Sequence, residues 1–339
     1  MIRSQVLVAA LLSSCIATRA HAEPRFTLRI ATVAPDGTAW AREIKAFSRE
    51  IETLTRNDVR VKVYFGSIAG DELQVMTRIE RNQLDGIASG GMACQELAPS
   101  MRVMRVQGVF QDREEGAYVL QRLAPQLGDE FRKRGFVLLT VTGMGPEVVF
   151  SREPVKTFDQ LRRTKMWRWD LDKLGVITAR ELGVTIVPLP LNEAATAFDE
   201  GRVDGFYGIP AAALAFQWFT RALYLTDLHT SYLWGCLILA QRAFDRLPLE
   251  HQQAVRAAGA KIGVRIEEVG KQQDDLLLGG LFQKQGVKLN PVTPELRKEF
   301  LSAARAARER LGEKLVPDAL LKRVLALLAD YRGEHRPSH

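Results

Sequence analysis

Two short passages constrain this chain most. Gln83-Leu84-Asp85-Gly86-Ile87 and Arg202-Val203-Asp204-Gly205-Phe206 each leave a helical pattern and enter a strand. In both, a turn-tolerant residue ends the helix, aspartate can bond local backbone, and glycine permits tight passage into the strand. Two such turns in matching positions imply two similar α/β lobes. Phe26 to Ala31 alternates apolar and polar residues as a strand, and Pro35-Asp36-Gly37-Thr38 turns into a helix. That helix carries Trp40, Ile44, Phe47, Ile51 and Leu54 at spacings of three and four. Val59 to Phe65 is a second strand, and Leu73, Val75, Met76 and Ile79 mark the helix before the first passage. Downstream the order repeats: strand Lys165 to Trp169, helix Leu174 to Leu182, strand Val184 to Pro188, helix Asn192 to Phe198. Parallel strands with crossover helices put ligand-binding loops at the carboxyl ends of the strands. Two facing lobes therefore make a cleft.

The third segment differs. Leu249 to about Gln285 is one helical pattern entered after Pro248, and about thirty-five residues at 1.5 Å each reach about 50 Å. Such a helix can brace both lobes, and Gly270 or Gly279-Gly280 can bend it. Val287 to Leu289 reads as a short strand, Leu296 to Leu311 and Pro317 to Tyr331 as closing helices. The expected division is 23–150 with 238–280 for the first lobe, 151–237 with 281–332 for the second, and a disordered tail at 333–339.

Composition excludes several classes. With 339 residues, 46% hydrophobic and 26% charged, the chain is neither disordered, collagen-like nor a multi-span membrane protein. The net charge of +7 comes from 47 basic residues interleaved with 40 acidic ones, a solvated mixed surface rather than a nucleic-acid patch. Residues 1–22 have the layout of a secretory signal peptide: Arg3, an apolar run from Val6 to Leu12, and Ala20-His21-Ala22 before Glu23. Leu12-Ser13-Ser14-Cys15 also fits the pattern before a lipid-modified cysteine, which would anchor the protein at a membrane surface. Losing the leader removes Arg3 and Arg19 and leaves +5. Cys94 and Cys236 then remain; an oxidising compartment allows them to pair, but spacing does not show whether they meet.

Catalytic motifs are absent. There is no Gly-x-Ser-x-Gly elbow, no phosphate loop and no His-Glu-x-x-His. Gly143-Met144-Gly145 opens like a dinucleotide fingerprint, but Pro146 interrupts it and Val148 stands at the third glycine. Glu114-Glu115 and Asp274-Asp275 fall on helical patterns and read as solvated charge. Only His229 and His251 lie in the folded body, which leaves little for acid–base work. No enzyme, cofactor or metal is expected.

Several segments in order carry a resemblance: Val109-Phe110-Gln111-Asp112 before a Glu-Glu-Gly-Ala helix, Pro154 to Leu161, Leu182-Gly183-Val184 to Pro190, and Gly201 to Gly205. Together with the leader and the Leu-Asp-Gly entry, they resemble the solute-binding proteins of TRAP (tripartite ATP-independent periplasmic) transporters over about residues 24–331. The resemblance implies a periplasmic-binding-protein-like clamp: two α/β lobes joined by crossing strands and a long shared helix. It implies a periplasmic receptor that closes on a solute and delivers it to TRAP membrane permease subunits. An extracytoplasmic sensor or scaffold for a membrane partner is the alternative.

Departures from the family pattern bear on the solute. Aligning Leu161 to Lys165 with the family's Leu-Lys-Gly-x-Lys segment puts Trp167 where most members carry a carboxylate-binding arginine, with Arg168 one residue late. Adjacent strand residues point to opposite faces, so Trp167 and Trp169 share a side and Arg168 faces away, unless a bulge turns Arg168 inward. Met144-Gly145-Pro146-Glu147 lacks a second arginine often found there, and Phe206-Tyr207 replaces a polar stretch. Trp167, Phe206, Tyr207, Trp218 and Trp234 are expected to wall an apolar cleft, with ordinary core packing as the alternative for each. Glu147, Thr32, Asp36 and Ser89 are candidate polar contacts; Glu147 reads equally as a surface residue. The expected solute is larger or more aromatic than a C4-dicarboxylate, or a carboxylate held by Arg168.

Overall fold

The computed structural model describes residues 23–335. The expected leader and the Cys15 anchor lie outside the described residues, as do the last four residues of the expected tail. The first lobe is built from β1 (Phe26–Ala31), α1 (Ala39–Leu54), β2 (Val59–Tyr64), α2 (Glu72–Glu80) and β3 (Gly86–Ser89). Capping starts its helices: the Thr38 hydroxyl accepts from the Ala41 amide, and Asp71 with Gln74 forms a capping box. Next come α3 (Met92–Leu97), a 3-10 segment (Pro99–Arg105) and α4 (Arg113–Lys133), then the long strand β4 (Phe136–Ser151). The second lobe follows as α5 (Phe158–Arg163), β5 (Met166–Trp169), α6 (Lys173–Glu181), β6 (Ile186–Leu189), α7 (Ala194–Asp199), β7 (Gly205–Gly208) and α8 (Pro210–Ala215). The chain returns through β8 (Tyr224–Ala240), α9 (Gln241–Asp245) and α10 (Leu249–Leu276), and closes with α11 (Phe282–Lys284), β9 (Lys288–Asn290), α12 (Pro294–Arg308) and α13 (Asp318–Glu334).

Eight of the nine strands lie in the order β2-β1-β3-β8-β4-β7-β5-β6, with β9 added to β8. The halves mirror each other. In each, two parallel pairs end on a strand entered through an Asp-Gly passage, and that strand meets a long strand antiparallel: β3 on β8, β7 on β4. The long strands β4 and β8 pair along most of their lengths and carry the chain between lobes. The β4–β8 register shifts between Gly143 and Gly145 and again between Glu147 and Val149. On β4, Phe136 and Val137 belong to the first-lobe core and Val148 to the second. On β8, Leu225 packs in the second lobe and Tyr232 onward in the first.

Those core assignments move the expected boundaries. The crossing on β8 lies near Ser231 rather than at 238, because one strand serves both lobes without a break. The closing helix α13 packs on the first lobe, through Val324 and Leu328, rather than on the second. Its apolar stripe covers α4, and Arg332 reaches Glu115 there. Gly333 and Glu334 continue that helix instead of opening a tail. The 249–285 helix bends where expected: Gly280 has φ +130° between α10 and α11. Glu115 and Asp274 are buried, not solvated, because each meets an arginine: Glu115 with Arg332, Asp274 with Arg113.

Candidate functional site

A cavity of about 150 Å³ opens between the lobes, at the carboxyl ends of both sets of parallel strands. A cavity of roughly that volume holds a molecule of benzene size or somewhat more, so this one suits a small organic solute. Most of its wall is apolar. The first lobe supplies Val33, Trp40 and Ile44; the crossing strands supply Met144 and Leu233; α10 supplies Ile262 and Ile266. The second lobe supplies Ile209, Phe216, Trp169 and Trp218.

Strand alternation sorts the second-lobe side chains. Trp167, Phe206 and Phe150 face one core, with Trp167 edge-on to Trp218 at 4.9 Å. Met166, Tyr207 and Val149 face the other. The Arg168 guanidinium lies 5.5 Å from the Tyr207 ring. Because these residues stand at strand ends, both faces reach the cleft. The expectation that Arg168 points away when Trp167 faces the cavity is therefore corrected: Trp167, Arg168 and Trp169 all line it. No bulge in β5 is required, since β5 pairs with β6 in uninterrupted register.

One end of the cavity is charged. Asp172, at the N-cap of α6, accepts from Arg105 at 2.9 and 3.0 Å and from Arg168 Nε at 2.7 Å. Glu147, on β4, accepts from Arg105 and Arg168 at 3.2 Å each, and from the Ser231 hydroxyl. Arg105 belongs to the first lobe, through the segment carrying Val103 and Met104, and Asp172 to the second, so this pair bridges the cleft. Burial pushes the Asp172 carboxyl up, but Arg105 and Arg168 outweigh it and hold it at about 2. Glu147 is held below the usual carboxylate range in the same way, burial being overcome by Arg168 and Arg105. Burial drives the Tyr207 hydroxyl well above its usual pKa, so it stays protonated.

Among the described residues, the buried Trp40 Nε1, Arg105 Nε, Arg168 Nη1, Trp169 Nε1 and Tyr207 hydroxyl have no hydrogen-bond partner, and all five residues line the cavity. At the rim, the buried Glu72 carboxylate takes the Ser89 hydroxyl and the Gly90 and Ala93 amides at 2.5–2.8 Å, fixing the loop after β3. Cys94 and Cys236 form a disulfide with Cα atoms 6.0 Å apart, and Cys236 lines the cavity.

Of the residues singled out from sequence, Thr32, Ser89, Glu147, Trp167, Arg168, Trp169, Tyr207 and Trp218 line the cavity. Three do not. Phe206 is fully buried and stacks on Phe150 at 4.7 Å, because it is on the core side of β7. Trp234 fills the first-lobe core against Gly116, where no side chain competes for the space. Asp36 is exposed on the turn before α1 and pairs with Lys45 at 2.5 Å. Glu147, which also read as a surface residue, is buried by its two arginines. Arg105 and Asp172 were missed. Arg105 is flanked by Val103, Met104 and Val106, but Arg102 stands in the same stretch, and only burial separates the two arginines.

The family profile described as "Bacterial extracellular solute-binding protein, family 7" matches residues 30–314. The 2,3-diketo-L-gulonate-binding periplasmic protein YiaO of Escherichia coli K12 is 23% identical over 264 residues, covering 76% of this chain and 78% of that protein. The sugar acid binding protein of Advenella mimigardefordensis, in complex with galactonate, superposes with a TM-score of 0.84 at 17% identity, over 91% of this chain and 99% of that one. A TRAP periplasmic solute-binding protein from Bordetella bronchispeptica, with density interpreted as pantoate, gives 0.81 at 18% identity, over 88% and 98%.

Proposed function

Because the chain belongs to family 7 of the bacterial extracellular solute-binding proteins, the periplasmic receptors of TRAP transporters, we propose that it captures a small, mainly apolar organic solute and hands it unchanged to a TRAP permease. The observation that carries this reading is the interlobe cavity, apolar on most of its wall and lined at one end by donors without partners. Trp40, Trp169 and Trp218 pack the body of the solute; Tyr207 and Arg168 offer hydrogen bonds to its polar end. Relatives bind galactonate or 2,3-diketo-L-gulonate. Each hydroxyl of such a sugar acid needs a partner when buried, and this wall favours a body larger or more aromatic than a C4-dicarboxylate. The solute must bind the closed clamp better than the open one, since only that difference shifts the population. Export through the leader at residues 1–22 is part of this proposal.

A thermal-shift screen against aromatic acids, organic acids and neutral solutes tests it. With a hit in hand, Trp169→Ala is expected to weaken binding about 30-fold, the loss typical of a buried aromatic anchor. Unchanged affinity in both Trp167→Ala and Trp169→Ala would remove the aromatic wall from the reading. Turnover of the hit by purified protein would remove the receptor role.

A further inference from the structure

Four ionised side chains line the cavity among the described residues: Arg105, Arg168, Glu147 and Asp172. None is more than 5% exposed. They pair entirely with one another, each carboxylate taking both arginines. The carboxylates are further occupied by the Ser231 hydroxyl and the Gly175 amide. Both acids are held ionised by their arginines. Two positive and two negative charges cancel, so the tetrad is electroneutral by itself.

Resting on the receptor reading above, we infer that the solute carries no ionised group and presents hydrogen-bond acceptors, as a ketone, lactone, amide or ether does. A carboxylate at this end adds an uncompensated negative charge beside Glu147 and Asp172, where little water screens it. An ammonium meets the two arginines with the same difficulty. What the tetrad and its neighbours leave over is donors: Arg168 Nη1, Arg105 Nε, Trp169 Nε1, Trp40 Nε1 and the protonated Tyr207 hydroxyl. A buried donor left unmatched is costly, so acceptors on the solute are selected. Glu147 thus supplies from within the protein the counter-charge that an anionic solute would bring to the arginines. It is a specificity-determining residue.

The test divides a bacterial metabolite extract on a mixed-bed ion exchanger into material that passes, which is uncharged, and material that is retained and eluted, which includes zwitterions. Each fraction is added to the wild-type protein and the melting temperature is read. The uncharged fraction is expected to raise it by about 5 °C, the rise for a solute near a hundredfold its Kd, and the ionic fraction to leave it unmoved. An equal or larger rise with the ionic fraction overturns the charge inference and leaves the receptor reading standing. No rise with either overturns the receptor reading and this inference with it. Glu147→Gln gives the tetrad one net positive charge, and the ionic fraction that leaves the wild type unmoved should then raise the variant's melting temperature by about 3 °C or more. No rise in a folded Glu147→Gln protein also overturns the inference; if that variant does not fold, the wild-type measurement decides alone.

Discussion

Gly86 and Gly205 begin β3 and β7, and neither has a positive φ. Their lack of a side chain serves close approach instead. A Cβ on Gly86 would lie 2.4 Å from the Ile238 carbonyl oxygen, and one on Gly205 would lie 2.7 Å from that of Phe150. The repeated Asp-Gly passage is thus a contact with the crossing strands more than a local turn. Asp85 acts over distance too: it accepts from the Arg29 amide at 2.9 Å and side chain at 2.8 Å, on neighbouring β1. Gly86→Ala must push β8 away and is expected to destabilise by about 1–3 kcal/mol. Gly128, inside α4, has nothing within 4 Å of an added Cβ. There Gly128→Ala is expected to stabilise by about 0.5–1 kcal/mol through helix propensity. Urea unfolding of the two variants checks both signs.

At the scale of elements, α10 ties the lobes together where the long strands cross. Its Asp274 carboxylate pairs with Arg113 at the start of α4 and lies against Gly145 on β4. Burial pushes Asp274 up to about 6, with Arg113 opposing only in part. A raised acid favours the protonated folded form. Its contribution is therefore fully present below its unfolded pKa of 3.8 and lost as pH rises through about 6. Between pH 4.5 and 7.5 the wild type should lose about 2 kcal/mol relative to Asp274→Asn, whose side chain does not titrate. Urea titrations at the two pH values check this; parallel profiles would show that Arg113 keeps the carboxyl ionised.

For the whole molecule, closure is written in contacts that cross the cleft. Arg105 from the first lobe meets Asp172 from the second, and Leu174, in the first turn of α6, packs into the first-lobe core. Arg105→Met leaves Asp172 and Glu147 with one arginine between them. Breaking a buried pair on one side costs about 3–5 kcal/mol, so solute affinity should fall at least 100-fold. Calorimetry measures the affinity, and solution scattering should show the clamp more open. The Cys94–Cys236 disulfide closes a loop of 142 residues of separation between α3 and β8. Reduction is expected to lower unfolding stability by about 2–5 kcal/mol, read by denaturant titration with and without dithiothreitol.

Local pattern was enough for the alternation of strands and helices and for two similar α/β lobes, while the clamp and the family followed from the resemblance that several segments carry in order. Periodicity and turn chemistry depend on residues a few positions apart, and the paired Asp-Gly passages carry that signal. Other features required the chain to meet itself. Whether Trp167 and Arg168 could both border the cleft depended on where β5 ends relative to it, which periodicity does not encode. Phe206 and Trp234 looked like cleft aromatics until the packing of Phe150 and Gly116 drew them into the cores. Helix α13 carried an apolar stripe in sequence, but only α4 decided which lobe it covers. The charged tetrad was the least legible, since its residues come from three distant segments: Arg105, Glu147, and the β5–α6 passage with Arg168 and Asp172. Sequence alone determined a clamp of known family. Tertiary structure decided that its polar end is already neutral, because charge balance belongs to the residues that meet in space.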